Sequence, residues 1–260
     1  MFIRIDDAQI YSTAFGFPSA SALIGIGGWI GSWELWAEPF SILSQTWHTV
    51  AYDHRGAGAT LAPVETITLD HLVDDVFAVL DAYQIDHCVL AAESAGALTA
   101  LAAALKKPDR ILGLVIVDGS YYQPISTAAT PFLMGLQNHY AATLAHFVEA
   151  CVPEPDSAHI KRCGLQILQR ASPEAAIALY RMADGIDLRD DFGKITQPTL
   201  ILHSGLDTIA PIASAEWLAR TIPNSKLRII NDAGHVPTVT RAPRVAAEIN
   251  AFFGGKAESL

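Results

Sequence analysis

The sequence is poor in cysteine, in charge and in metal-ligating motifs. Its three cysteines, Cys88, Cys151 and Cys163, are too few for a disulfide framework, and none stands in a CxxC pair. A disulfide-stapled secreted scaffold and a zinc ribbon are therefore excluded, and a reducing compartment is expected. No HExxH occurs, and His139 and His146 lie on segments that read as ordinary helix, so no metal and no cofactor are expected. Lys and Arg number 17 against 27 Asp and Glu, a formal net charge of -10. Phosphate neutralisation needs clustered cations, so nucleic acid is excluded as a partner and an anionic membrane surface is disfavoured. The most apolar helical stretch, 98–105, is far too short to span a bilayer. Residues 1–10 alternate polar and apolar and lack the charged n-region and apolar run of a signal peptide, so the cytoplasm is the expected location. There is no internal repeat and no low-complexity tract.

What is present is hydrophobicity. Of 260 residues 51% are apolar and 17% charged, which excludes intrinsic disorder and demands a large core. A chain of this length can bury roughly 75% of its unfolded surface. Short apolar runs at 21–26, 49–52, 87–92, 112–117, 198–203 and 226–230 have the continuous hydrophobicity of strands covered on both faces. Helical patterns at 69–83, 95–105, 212–221 and 243–253 alternate with them, which predicts an α/β fold with a doubly wound, mostly parallel sheet flanked by helices. The stretch 121–196 breaks the rhythm. It reads as helices at about 132–140, 142–151, 159–170 and 173–182, punctuated by Pro153, Pro155 and Pro173, with no strand candidate. The expected organisation is a core of 1–120 and 197–260 with a helical lid inserted over 121–196, above the strand ends where α/β folds place ligands.

The strongest local signal is Ala92-Glu93-Ser94-Ala95-Gly96, directly between an apolar strand and an Ala-rich helix. A turn this tight needs small residues around the Ser, and it puts the hydroxyl at a helix N-terminus, where unpaired N–H groups favour negative charge. A plain helix N-cap serine would fit the pentapeptide as well. At this point the sequence resembles the α/β-hydrolase fold family, whose G-x-S-x-G elbow it matches with Ala92 in place of the first Gly. Further matches follow in order. Gly27-Gly28-Trp29 is similar to the family's H-G-x loop with Gly27 where His is usual, and Asp53-His54-Arg55-Gly56-Ala57-Gly58 matches its D-x-R-G-x-G turn. The segment ending Gly205-Leu206-Asp207 resembles the strand and loop that deliver the acid, and Asp232-Ala233-Gly234-His235 the turn that delivers the base.

The resemblance implies a metal-free serine hydrolase with Ser94 as nucleophile, His235 as base and Asp207 as the supporting acid, in the chain order this fold uses. It places the oxyanion donors at the backbone N–H groups of Trp29 and Ala95, with Gly28 as the other candidate in that loop. Asp118 also ends a predicted strand and is the alternative acid. Glu93 is a carboxylate beside the nucleophile; it is expected to bond nearby loop backbone, and otherwise to touch substrate or act on His235 through its charge. Asp53 and Arg55 are expected to brace their turn, while His54 receives no role. The glycines at 25, 27, 28 and 31 miss the dinucleotide fingerprint, because Ile30 stands where G-x-G-x-x-G needs its last Gly.

The expected substrate is a small carboxylic ester or lactone with a hydrophobic part, facing Trp29, Trp33 and insertion residues such as Phe132, Phe147, Leu168 and Tyr180. Relatives of this kind also cleave C–C bonds or form peracids, and a ligand-binding homologue without turnover is the rival from another class. Haloalkane dehalogenase and epoxide hydrolase chemistry is disfavoured, because their elbow nucleophile is Asp.

Overall fold

Eight strands form one sheet in the order β1-β2-β4-β3-β5-β6-β7-β8. They are β1 (Phe2–Ile5), β2 (Ala8–Phe15), β3 (Ala22–Ile26), β4 (His48–Tyr52), β5 (Cys88–Glu93), β6 (Ile111–Val117), β7 (Thr199–Ser204) and β8 (Ser225–Ile230). The computed structural model describes residues 1–5, 7–124 and 130–254; residues 125–129 of the expected insertion lie outside the described residues. All six predicted strands are present, and β3 to β8 pair in parallel. The two additional strands, β1 and β2, form an antiparallel hairpin that continues antiparallel onto β4. The alternation in residues 1–10 is the pattern of that hairpin, with Ile3, Ala8 and Ile10 buried on one face.

Ten helices are described: α1 (Ala37–Leu43), α2 (Leu69–Ala82), α3 (Gly96–Lys106), α4 (Pro131–Asn138), α5 (Tyr140–Cys151), α6 (Ala158–Leu168), α7 (Pro173–Met182), α8 (Ile212–Thr221), α9 (Pro237–Thr240) and α10 (Ala242–Phe253). Their starts follow local chemistry. Thr68, Thr130 and Ser172 each accept a backbone N–H from the first turn of α2, α4 and α7, and Pro131 and Pro173 occupy first-turn positions where no donor is lost. The sequence pattern does not show α1, because Pro39 sits in a seven-residue helix and is tolerated only as part of its first turn.

Successive strand residues face opposite sides. Ile24, Leu90 and Ile116 pack with α2, α3 and α8, while Leu23, Val89 and Val115 pack with α1 and α10. Both layers are fully buried, which is why these strands read as unbroken apolar runs. Each such Leu or Ile stabilises the fold by about 1.5–3 kcal/mol relative to exposure. Helices α4 to α7 all lie between β6 and β7 in the chain. The two ends of that segment meet where Gln123 pairs with Asp184 through a parallel bridge and a 2.7 Å side-chain hydrogen bond. A third apolar cluster, including Trp29, Ile30, Leu136, Leu144 and Leu179, joins these helices to the loops at the carboxyl ends of the strands.

Candidate active site

β5 runs directly into Ser94, whose φ of +51° puts a non-glycine residue in the left-handed region. That conformation carries strain, held here because Ser94 N–H donates to the Val117 carbonyl of β6 at 2.9 Å and α3 begins at once. Small neighbours are obligatory. A Cβ on Gly96 would lie 2.5 Å from the Gly27 carbonyl oxygen, so the loop after β3 presses on the elbow backbone to backbone.

His235 comes from the turn between β8 and α9. Its Nε2 is 2.8 Å from Ser94 Oγ and its Nδ1 is 2.8 Å from Asp207 Oδ2, both side chains of the pair being buried. Asp207 follows β7. Burial alone would raise its carboxyl, but the hydrogen bond and charge of His235, with the N–H groups of Ile209 and Ala210 on Oδ1, hold it below the ordinary value. An ionised Asp207 only accepts, so Nδ1 carries the proton and Nε2 is left to receive one from the Ser94 hydroxyl.

The loop after β3 brings Gly28 against the elbow: a Cβ there would be 3.0 Å from Ser94 Cβ. The Gly28 carbonyl faces away, contacted by Gly31 N–H at 3.1 Å and His54 Nε2 at 3.0 Å. In a trans peptide the next N–H, that of Trp29, points opposite to that carbonyl. Neither the Trp29 nor the Ala95 N–H donates to another backbone carbonyl among the described residues. The Trp29 indole donates to the Ala176 carbonyl of α7 at 2.8 Å and packs edge-on against Phe132 and Phe147.

Ser94 and His235 open into a cavity of about 390 Å³ whose walls include Trp29, Phe147, Val152, Ile167 and Val239. Most of the surface it exposes is apolar. Arg170 and Glu34, joined at 2.6 Å, also line it and tie the link between α6 and α7 to the core. Of the apolar residues expected at the substrate, Trp29, Phe147 and Leu168 reach this cavity. Phe132 and Tyr180 lie tilted against each other, 5.4 Å between ring centroids, with Phe132 also packed on Phe147 of the cavity wall. Trp33 does not line it: its ring packs on Phe15 and its N–H donates to Asp53.

Several residues sit elsewhere than sequence reasoning places them. Asp118 does not reach His235; its two oxygens accept the N–H and hydroxyl of Ser204, each at 2.7 Å. Burial, with the charge of Asp207 adding to it, raises its carboxyl to about 8. Glu93 lines the cavity, where its alternative role of touching substrate would place it, but it bonds a side chain and not loop backbone: Oε1 accepts from the Thr238 hydroxyl at 2.7 Å, while buried Oε2 has no partner. Burial pushes the Glu93 carboxyl to about 8, so at neutral pH it brings no full charge to bear on His235. Asp118, His203 and Asp207 place potential metal-donor atoms within 4.8 Å of one another, but both carboxylates are already taken by Ser204, His235 and backbone N–H groups. The bracing roles are as expected: Asp53 accepts from Trp33 and Ala59, and Arg55 grips Asp75 with two nitrogens at 2.8 and 3.0 Å. Sequence reasoning missed Thr238, Glu154 and the contact of His54. Of these only His54 carried a signal, its place inside the Asp53–Gly58 turn.

Residues 41–238 match the family described as serine aminopeptidase, S33. The chain belongs to this family of α/β-hydrolases. Among α/β-hydrolases of known sequence it is 28% identical over 262 residues to "Putative carbamate hydrolase RutD" of Caulobacter sp. (strain K31), a match covering 95% of this chain and 97% of that protein. In fold it is similar to the enol-lactonase from Burkholderia xenovorans LB400, with a TM-score of 0.90, 20% identity, and coverage of 98% of this chain and 100% of the other. The esterase EaEST from Exiguobacterium antarcticum aligns with a TM-score of 0.89 at 20% identity, over 96% of this chain and 98% of that one. The elbow, the loop that carries Asp207 and the turn before α9 meet at the carboxyl edge of the sheet. No helix among the described residues is long and apolar enough to cross a membrane.

Proposed function

We propose that this α/β-hydrolase cleaves a small carboxylic ester or lactone with a hydrophobic part, through Ser94, His235 and Asp207. The observation that carries the reading is the continuous relay from Asp207 through His235 to Ser94, 2.8 Å at each step, opening on an apolar cavity. The Ser94 hydroxyl gives its proton to His235 Nε2 as Oγ bonds to the carbonyl carbon, and Asp207 stabilises the imidazolium. The N–H groups of Trp29 and Ala95 hold the oxyanion, each worth about 2.7–4 kcal/mol. Collapse returns the proton to the leaving alcohol oxygen, and water, activated by the same histidine, releases the acid and restores Ser94. Helices of the 121–196 segment act as a lid over the core of 1–120 and 197–260, and their inner face receives the apolar part of the substrate.

The names of the relatives agree with this reading at the level of chemistry. An ester, a lactone and a carbamate each present a carbonyl bonded to a heteroatom leaving group. The test is a fluorophosphonate probe with the adduct mapped by mass spectrometry, followed by assay of p-nitrophenyl esters, lactones, carbamates and β-diketones with wild type and Ser94→Ala. Labelling at Ser94 and loss of ester or lactone turnover in Ser94→Ala are expected. Full activity in Ser94→Ala would remove the nucleophile assignment, turnover confined to β-diketones would replace ester cleavage by C–C cleavage, and binding without turnover would favour a non-catalytic homologue.

A further inference from the structure

α5 ends at Cys151, and residues 152–157 carry the chain across the turn that holds Gly234 and His235 before α6 begins. The two segments are in backbone contact. The His235 N–H donates to the Cys151 carbonyl at 2.8 Å, and the Gly234 N–H donates to Oε1 of Glu154 at 2.7 Å. A Cβ on Gly234 would lie 2.3 Å from Pro153 Cδ and 2.6 Å from the Cys151 oxygen, so no side chain fits between them. Glu154 is 5% exposed, and its own carbonyl accepts the Ser157 hydroxyl at 2.6 Å, which closes the link into a fixed turn. On the core side, the same turn is held by Leu206 N–H donating to the Ala233 carbonyl at 2.9 Å.

We infer that Glu154 is a positioning residue: by holding the Gly234 peptide it sets the aim of the His235 imidazole at Ser94. This rests on the reading of His235 as the base. The imidazole extends from a short turn, so a small rotation of that backbone is magnified at Nε2, and a displacement of about 1 Å costs on the order of 100-fold in rate. A carboxylate acceptor makes a shorter, stronger bond to N–H than a neutral one. The helices between β6 and β7 therefore do more than cover the cavity. The link between α5 and α6 supplies the second wall of the turn that carries the base, so this part of the lid cannot swing away without moving His235. Because Val148, Cys151 and Val152 also line the cavity, a ligand pressing on the end of α5 bears on the same turn.

The test uses Glu154→Gln, Glu154→Ala and Glu154→Asp in the full chain, with p-nitrophenyl butyrate as substrate and a fluorophosphonate as probe of Ser94. Gln keeps an acceptor at Oε1 and should stay within about threefold of wild type in kcat, whereas Ala, which removes it, should lower kcat by about 30-fold to 100-fold with KM little changed. Labelling of Ser94 should slow in proportion. If Ala prevents folding, Asp keeps the charge, withdraws the oxygen by one methylene, and should reproduce the kcat loss on folded protein. A folded Ala or Asp variant with a lowered Tm but wild-type kcat and labelling rate would overturn the inference, as would equal losses in Gln and Ala. Ser94→Ala and His235→Ala separate the two readings. If both retain turnover, the proposed function falls; if both lose it and the Glu154 variants do not, only the positioning role falls.

Discussion

His54 Nε2 lies 3.0 Å from the carbonyl oxygen of Gly28, whose carbon is bonded to the nitrogen of Trp29. The buried imidazole thus restrains the peptide that presents the Trp29 N–H toward the elbow. Replacing His54 by Leu should leave that peptide held by Gly31 alone and lower kcat by about tenfold, a fraction of the loss from deleting an oxyanion donor outright. His54→Gln, which can still donate, should recover part of it. Steady-state kinetics and the affinity of a trifluoromethyl ketone transition-state analogue check this. The two should fall together while KM holds; a raised KM with unchanged kcat would refute it.

Glu93 should make the protein less stable as pH rises. Its carboxyl is raised to about 8 in the fold by burial, from an ordinary 4.5. Between those values the unfolded chain has released this proton while the folded chain still holds it, so each pH unit weakens folding by at most about 1.4 kcal/mol. Below 4.5 both states are protonated and nothing is lost. Glu93→Gln removes the titration and keeps the bond to Thr238, so it should raise Tm by on the order of 10 °C at pH 8 and change it little near pH 4.5. Thermal melts across that range decide the matter, and a variant whose profile merely parallels wild type would count against it.

Filling the cavity should change which substrates are used. Ile167 projects from α6 into the cavity wall that also includes Phe147 and Val152. Ile167→Trp should lower kcat/KM for p-nitrophenyl octanoate by about tenfold and for the acetate by about twofold or less, since each methylene that loses its place is worth about 1–3 kcal/mol. Equal losses on both esters would place the acyl group elsewhere.

The parts of this architecture legible in the sequence are those with a local physical cause. Strands β3 to β7 are buried on both faces, so their hydrophobicity is unbroken, and Pro173 and Ser172 mark the start of α7 by capping chemistry alone. The hairpin β1–β2 was visible only as alternation, because ten residues of period two do not say what they pair with. Asp118 shows the limit most plainly. From sequence it is a carboxylate at a strand end, as is Asp207, and only the pairing of β6 with β7 turns it toward Ser204.

The sequence by itself determined the six strands β3 to β8 and most of the helices between them, the small residues around Ser94 and the chain order Ser94, Asp207, His235. Those depend on side-chain periodicity and turn sterics, which neighbours along the chain dictate. The tertiary structure alone decided the rest. The 2.7 Å bond from Gly234 to Glu154 joins residues 80 apart in sequence. The raised carboxyl of Glu93 comes from its complete burial, with the charge of Asp207 adding to it. No local pattern encodes either one, because a contact and a desolvation exist only once the inserted helices have packed against the loops of the sheet.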